Sequence, residues 1–460
     1  MSVQAAAKIF KAEPSDEPED VVFNSLYGLR SIELNRPKKL NSLNGSMIRK
    51  IGPRLIEWDK SDMANIIVMK GAGEKALCAG GDVAALANWN TEGREGQQRS
   101  IDYFALEYKL DHMIATLGTP YIAFMDGITM GGGVGLSIHA PFRIATERTV
   151  FAMPETTIGF FPDVGASFFL PRMAGSTGTY LALTSDRLKG ANVFYSGVAT
   201  HYLHSTSLPL LESRLAELRF KDFYTIKERL AIVNATIEEF CTGLPHDEPV
   251  LLAGELRKAV DRCFSHHTLP DILAALKQEE GAAKQWAEKT IETLYKRSPT
   301  AVNVALRQMR IGGSWTIAET FKREHQIAAK FMKHPDFTEG VTALLINKPP
   351  KAPEWKPATL DDIPDGTAVT DPFFAIDSKV KSLELLNDAD YADYPHREFG
   401  LPTERDVEEL LVQGVAKSKG EIVRHFVNST RGKQGVREVI SEIVERKTVL
   451  ADDGSLAWSY

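Results

Sequence analysis

The spacing of hydrophobic residues changes period several times along the chain, and these changes predict short strands alternating with helices. VVFN (21–24) and LRSIELN (29–35) read as two strands joined by a turn. Residues 47–58 then place Ile48, Ile51, Leu55 and Ile56 at helical spacing, which predicts an amphipathic helix with one apolar face. ANIIVMK (64–70) predicts a buried strand, and YIAFMDG (121–127) predicts another. Between them stand the glycine-rich GAGEKALCAGGD and a helical stretch at 97–114 rich in Ala and aromatic residues. GGGVGLSIHA opens a further helix, and FRIATE and VFAM predict short strands after it. The repeating unit is therefore two strands and a helix, not strict βαβ alternation.

Beyond residue 207 the pattern becomes charged and helical. DILAALKQ and QWAEKTIETLYK are amphipathic pieces within 208–298, and residues 299–346 continue the helical character. KPPKAPEWKPATLDDIPDG then concentrates proline, as a linker or an extended arm would. Three more helices are predicted after Ser378. The first, at 403–417, carries Val407, Leu410, Leu411, Gly414 and Val415. The second, at 421–428, carries Ile422, Val423, Phe426 and Val427; the third, at 434–447, carries Val436, Val439, Ile440, Ile443 and Val444. Each has an apolar stripe to bury, on the body or on a partner.

Composition narrows the function classes. With 460 residues, 43% of them hydrophobic, the chain can hold two or three domains with a substantial core. A formal net charge of -7 excludes coating nucleic acid by charge alone, so any such contact must be regional. Three scattered cysteines, Cys78, Cys241 and Cys263, make neither a disulfide framework nor a zinc site, and no metal is indicated. No apolar run approaches the ~20 residues needed to span a bilayer, so no membrane role is expected. The N-terminus begins with Lys8 and Lys11 among small residues but turns acidic from Glu13, unlike an Arg-rich transit peptide. Residues 13–20 therefore predict a disordered acidic tail.

The candidate chemistry begins with two glycine-rich loops, AGGD (79–82) and MGGG (130–133), each ending a strand and opening a helix. Such loops present backbone N–H groups with a helix dipole behind them, suited to an anion or a developing oxyanion. Two convergent donors are what the tetrahedral intermediate of acyl transfer needs, each contributing ~3 kcal/mol to its stabilisation. Downstream, PETTIGFFPDVG (154–165) places Glu155 and Asp163 in an otherwise apolar run. Burying carboxyls there costs several kcal/mol unless something compensates.

Together, NRPKKLNSLN (35–44), ALCAGGDV (76–83), DGITMGGGVGLSIHAPFRIATE (126–147) and FAMPETTIGFFPDVG (151–165) resemble the crotonase superfamily of acyl-CoA enzymes. Within it, they resemble the 3-hydroxyisobutyryl-CoA hydrolases. The resemblance continues through RSPTAVNVALRQM, DFTEGVTALLINK and EWKPATL, and spans about residues 21–362 in family order. It implies an α/β crotonase fold, a spiral of repeated ββα units, with a C-terminal helical region. On that basis the chain divides into a flexible acidic tail (1–20), the crotonase core with the active site (21–207), a helical part (208–348), a Pro-rich linker or arm (349–377) and a helical extension (378–460).

The resemblance also implies roles for individual residues. Gly81 and Gly132 would supply the oxyanion-hole N–H groups. Glu155 would act on the thioester carbonyl, as nucleophile through a mixed anhydride or as base for water. Asp163 would orient the substrate 3-hydroxyl and assist departure of the CoA thiolate, and Glu107 would contact the substrate. Lys38 and Lys75 lie beside segments that hold CoA in crotonases, where they would meet its phosphates. CoA enters as part of the substrate, and no separate cofactor is implied. Enoyl-CoA hydratases place a second glutamate where this chain has Gly135, and usually glycine where it has Asp163, so hydrolysis is favoured over hydration. Thr342 and Asn347 depart from the common family residues. Cys78, His139 and His201 read as buried structural residues, and Phe160 and Phe161 as walls of the acyl pocket or packing.

The tail after Ser378 resembles that of extended fungal members, some of which are built into the small subunit of the mitochondrial ribosome. Two function classes stay open on this evidence. One is a 3-hydroxyacyl-CoA hydrolase of the mitochondrial matrix, for which self-association when free is left open. The other is a structural ribosomal subunit with a kept or retired site, touching small-subunit proteins or rRNA through the extension. Around Arg431, Lys433 and Arg437 the charges are mixed, with Glu438, Glu442 and Glu445, which favours protein docking over RNA reading.

Overall fold

The computed structural model describes residues 8–363, 365–452 and 454–459. Its core is built from ten strands: β1 Val21–Leu26, β2 Leu29–Leu34, β3 Ile66–Gly71, β4 Ala76–Cys78, β5 Tyr121–Met125, β6 Ile128–Met130, β7 Phe142–Ala145, β8 Val150–Ala152, β9 Leu188–Lys189 and β10 His201–Tyr202. They form two sheets, in the orders β1-β2-β3-β5-β7-β10 and β4-β6-β8-β9. After the antiparallel β1-β2 pair, both of whose strands join the larger sheet, successive strand pairs split between the sheets: β3, β5 and β7 run parallel in the larger, while β4, β6 and β8 run parallel in the smaller. A helix follows both β3/β4 and β5/β6, so there the predicted two-strand-plus-helix unit is a spiral turn that adds one strand to each sheet.

The local signals explain the helices that close these turns. Asn44 caps the Gly45–Trp58 helix by accepting from the Met47 N–H at 2.9 Å, so the helix starts before its apolar stripe. The long helix Arg94–Ala115 buries Tyr103, Phe104, Glu107, Tyr108 and Asp111 on one side, carrying two acids into the core. The Leu208–Ala216 helix covers the larger sheet with Leu208, Leu211 and Leu215 against Ile66 and Val68.

The acidic segment expected to be disordered lies instead against the body. Glu17 pairs with Arg36 at 2.9 Å, Asp16 with Arg49, and buried Asp20 with Lys50 at 2.5 Å. Phe10 is buried over Gly52, where any side chain would strike its ring. Residues 1–7 lie outside the described residues. The Pro-rich stretch also holds a helix, Gly366–Phe374, and buries Trp355.

The C-terminal extension folds back on the body. Its helices are Glu404–Val412, Lys419–Ser429 and Val436–Lys447, the first two opened by capping boxes at Thr403/Asp406 and Ser418/Glu421. The first is shorter than predicted: Gly414 takes a left-handed φ of 67°, and Val415 is left exposed. Strands Thr448–Leu450 and Leu456–Trp458 form an antiparallel hairpin that the helical pattern did not predict. Phe399 packs on Phe142 with ring centroids 4.9 Å apart, and the Gln434 side chain donates to the Tyr202 carbonyl at 2.6 Å. Lys433 donates to Glu238, which faces buried His201 at 3.1 Å.

A cluster of charges joins the extension to the body. Arg446, buried in the last of these helices, pairs with Glu404 and Glu442 at 2.7 Å and with Asp261 at 3.5 Å. Arg257 of the body meets Asp261 at 2.9 Å and Glu404 at 2.8 Å. Removing one partner from such a half-buried network leaves carboxylates facing each other. Arg446→Ala is therefore expected to destabilise the chain by about 3 kcal/mol in urea unfolding. The exposed Arg405→Ala, which breaks only a solvent-screened surface pair with Glu409, should leave the unfolding midpoint essentially unchanged.

Candidate active site

The parallel strands β4, β6 and β8 end side by side, and the residues just past their C-terminal ends converge. After β4, the Leu43 N–H donates to the Gly80 carbonyl and the Asp82 N–H to the Leu43 carbonyl, both at 2.8 Å. This ladder leaves the Gly81 N–H unused among the described residues. After β6, Gly132 is the first residue of the short helix Gly132–Gly135, so its N–H has no intrahelical acceptor. A Cβ on Gly132 would stand 3.3 Å from the Gly81 nitrogen and 2.6 Å from Glu107 Oε1. One on Gly131, whose φ is 45°, would stand 3.1 Å from Glu155 Oε1. Two free N–H groups and two carboxyls thus meet over three glycines. The close fit is possible because Gly133 lies against Cys78, where a Cβ would come within 2.2 Å of its carbonyl oxygen.

Glu155 and Asp163 are held differently. Glu155 opens the 3-10 turn Glu155–Ile158 just after β8, and its Oε2 has no hydrogen-bond partner among the described residues. Asp163 accepts from the Tyr108 hydroxyl at 2.6 Å. Tyr108 comes from the same long helix as Glu107, and Tyr103 one turn earlier donates to the Leu43 carbonyl at 3.0 Å, fixing the Gly81 loop. Glu107, Glu155 and Asp163 are 2%, 5% and 4% exposed, which places all three in a closed interior. Phe160 stacks on Phe104 at 5.2 Å and contacts Phe161, Phe331 and Phe337, walling this interior with packed rings.

Sequence reasoning missed three participants. Tyr108 is one. Asp111, four residues after Glu107 on the same helix face, is fully buried with neither oxygen partnered among the described residues. Its carboxyl lies over Gly135, 2.7 Å from where a Cβ would be, so a carboxyl reaches the position of the absent glutamate from a different helix. Glu324 is the third: fully buried on the Ile317–Phe331 helix, it accepts from the Gly165 and Ser167 N–H groups at 2.7 and 2.9 Å. The only signal for these acids was their place within otherwise apolar helical stripes.

Other candidates fall outside the cluster or at its edge. Lys38 and Lys75 are exposed, on two turns brought together where Pro37 faces Gly73. Cys78 is buried, its thiol 3.4 Å from the Gly80 carbonyl, and burial pushes its pKa up to about 12, so it is no thiolate nucleophile. His139 touches the Val164 carbonyl through Nε2 at 3.0 Å, and burial lowers its pKa to about 4. A neutral ring can meet a carbonyl only as a donor, so Nε2 carries the proton.

Burial dominates the electrostatics of the acids. It raises Glu155 well above the usual carboxylate range, with Asp163 adding like-charge repulsion. It raises Glu107 in the same way, again with Asp163 second, and Asp111 with Glu107 second. Asp163 rises to about 7, restrained by the Tyr108 hydrogen bond, and Glu324 to about 8, restrained by its donors at Ser167 and Gly165. The folded chain thus keeps protons that the unfolded chain releases above the ordinary carboxylate range. The stability present at low pH is therefore lost as pH rises through these folded values. The melting temperature is expected to fall between about pH 7 and 8.5, a window above the unfolded titration of the histidines that burial keeps neutral, His139, His201, His325 and His396, each lowered to about 4.

Comparison with known proteins places this arrangement. Residues 29–374 match the family described as enoyl-CoA hydratase/isomerase. The chain is 62% identical to the small ribosomal subunit protein mS47 of Neurospora crassa, over 98% of this chain and 89% of that protein. It is 42% identical to the mitochondrial 3-hydroxyisobutyryl-CoA hydrolase of Gallus gallus, over 76% of this chain and 88% of the relative. Among solved structures, a carnitinyl-CoA dehydratase from Mycobacterium thermoresistibile superposes with a TM-score of 0.69 at 32% identity, over 80% of this chain and all of that one.

Proposed function

Because the chain belongs to the enoyl-CoA hydratase/isomerase family, we propose that it is a mitochondrial thioester hydrolase acting on 3-hydroxyisobutyryl-CoA or a close 3-hydroxyacyl-CoA. The observation that carries the reading is the convergence of the unused Gly81 and Gly132 N–H groups with Glu155 and Glu107. Relatives that share this segment are named for that activity.

In the mechanism the geometry supports, the thioester oxygen sits on the Gly81 and Gly132 N–H groups, which stabilise the charge that develops there. Burial and like-charge repulsion disfavour charging Glu155 and Asp163 together, and the reaction uses the pair with the charge on Glu155 and the proton on Asp163. Glu155 attacks the carbonyl carbon or takes a proton from water, the C–S bond breaks, and Asp163 passes its proton to the leaving thiolate. If an anhydride forms, water then cleaves it to the free acid and restores Glu155. Glu107 faces the substrate beside Gly132. Lys38 and Lys75 stand on the exposed rim, within the segments where CoA phosphates would lie.

A second reading rests on a specific observation: the mS47 relative matches nearly the whole chain, including the extension that lies beyond the family match at residue 374. The chain would then also be a component of the mitochondrial ribosomal small subunit, docked through protein contacts on the extension. The two readings are compatible. Fractionating mitochondria and assaying thiol release from 3-hydroxyisobutyryl-CoA in free and ribosomal fractions tests both. Activity absent from both would remove the enzymic reading, and absence of the chain from small-subunit particles would remove the other. Truncation after Ser378 is a poor tool here, since it breaks the Arg446 network and uncovers Phe142.

A further inference from the structure

Of the five buried acids around the site, Glu324 has no part in the chemistry above, yet it is bonded to the segment that carries Asp163. Its side chain enters from the Ile317–Phe331 helix between Phe321 and Ala328, and both of its oxygens are used on backbone N–H groups, those of Gly165 and Ser167. The segment it holds is strained. Val164 has φ 54°, a conformation that a β-branched residue rarely adopts, and Gly165 follows at φ 88°. A strained segment keeps its shape only when its surroundings over-determine it.

Those surroundings can be named. The Val164 carbonyl accepts from His139 Nε2 at 3.0 Å. Gln308 Nε2 donates to the Pro162 carbonyl and, at 2.7 Å, to Ser167 Oγ. The Ala166 N–H closes the turn on the Asp163 carbonyl at 2.9 Å. His139 and Gln308 leave the Gly165 and Ser167 N–H groups unmet, and Glu324 takes both. Without it, two buried donors lose their acceptor, and the Val164 backbone is released to turn toward ordinary negative φ values. That rotation would carry Asp163 off the Tyr108 hydroxyl.

We propose that Glu324 is a positioning residue: by accepting from Gly165 and Ser167 it locks Val164 in its strained conformation and so keeps the Asp163 carboxyl on Tyr108 and in the site. The inference rests on the hydrolase reading for its kinetic consequence, though not for its structural one.

The test uses the full chain with Glu324→Ala and the isosteric Glu324→Gln, whose amide oxygen can accept from only one of the two N–H groups. With 3-hydroxyisobutyryl-CoA, kcat is expected to fall ~100-fold in the Ala variant and ~10-fold in the Gln variant, with KM within about threefold of wild type. A folded variant that keeps wild-type kcat, or that loses only in KM, overturns the proposal. Should Glu324→Ala fail to fold, Glu324→Gln decides alone. A crystal structure of the Gln variant reads the same point without activity. The expected result is a Tyr108–Asp163 separation beyond about 3.5 Å with Val164 at negative φ; an unchanged loop overturns the proposal. If wild type itself proves inactive, the hydrolase reading fails while this structural arm still judges the role of Glu324.

Discussion

Replacing Glu155 by Gln is expected to reduce hydrolysis of 3-hydroxyisobutyryl-CoA by about 10⁴-fold while leaving the fold in place. The amide has the same shape but is neither nucleophile nor base, so both routes proposed for Glu155 close together. Structural damage should be absent, because Glu155 Oε2 has no partner to lose among the described residues. The change also removes an acid whose charged form is disfavoured by burial and by Asp163, so the melting temperature should hold or rise above neutral pH. Thiol release followed continuously measures the first outcome, and thermal unfolding the second. A Gln variant with activity near wild type would mean that another group attacks the thioester.

Gly132→Ala should be almost as damaging, by ~10³-fold in kcat, although it replaces no side chain that does chemistry. The added methyl would lie 2.6 Å from Glu107 Oε1 and 3.3 Å from the Gly81 nitrogen, inside the space the thioester oxygen needs. CoA itself should still bind, since the contacts proposed for it on the rim are elsewhere; calorimetry with free CoA separates loss of the oxyanion hole from collapse of the loop. Gly420→Ala is the matched control, because a Cβ there meets nothing within 4 Å on the Lys419–Ser429 helix. It should leave activity unchanged and stabilise that helix slightly. If Gly132→Ala retains full kcat, the two N–H groups do not bind the developing charge.

How much of this could be read from residues alone differs between elements. The strands at 64–70 and 121–127 and both glycine loops were legible because they are local: an apolar run, a glycine pair and a following helix lie within a dozen residues. Tyr108 and the helical acids Asp111 and Glu324 were not. Hydrophobic periodicity marks Tyr108, Asp111 and Glu324 only as positions within a stripe, and what an acid in a stripe meets depends on which element packs there. Glu324 meets Ser167, 157 residues away along the chain. The segment 13–20 was misread for a related reason: its acids look solvent-bound until Arg36, Arg49 and Lys50 are folded beside them. Near the C-terminus, Gly414 was counted into a stripe although its freedom at positive φ ends the helix there.

The charge cluster around Arg446 has a consequence for any shortened form of the chain. Arg257 and Asp261 belong to the body, yet Arg257 is 6% exposed with Glu404 paired to it, and Asp261 meets Arg446 of the last helix. Without the extension this cation and anion would lose those partners, and Phe142 would lose the ring of Phe399 that packs on it. The body therefore relies on the extension for cover, and a body cut free of it would present both a bared ion pair and a bared aromatic face to whatever it meets.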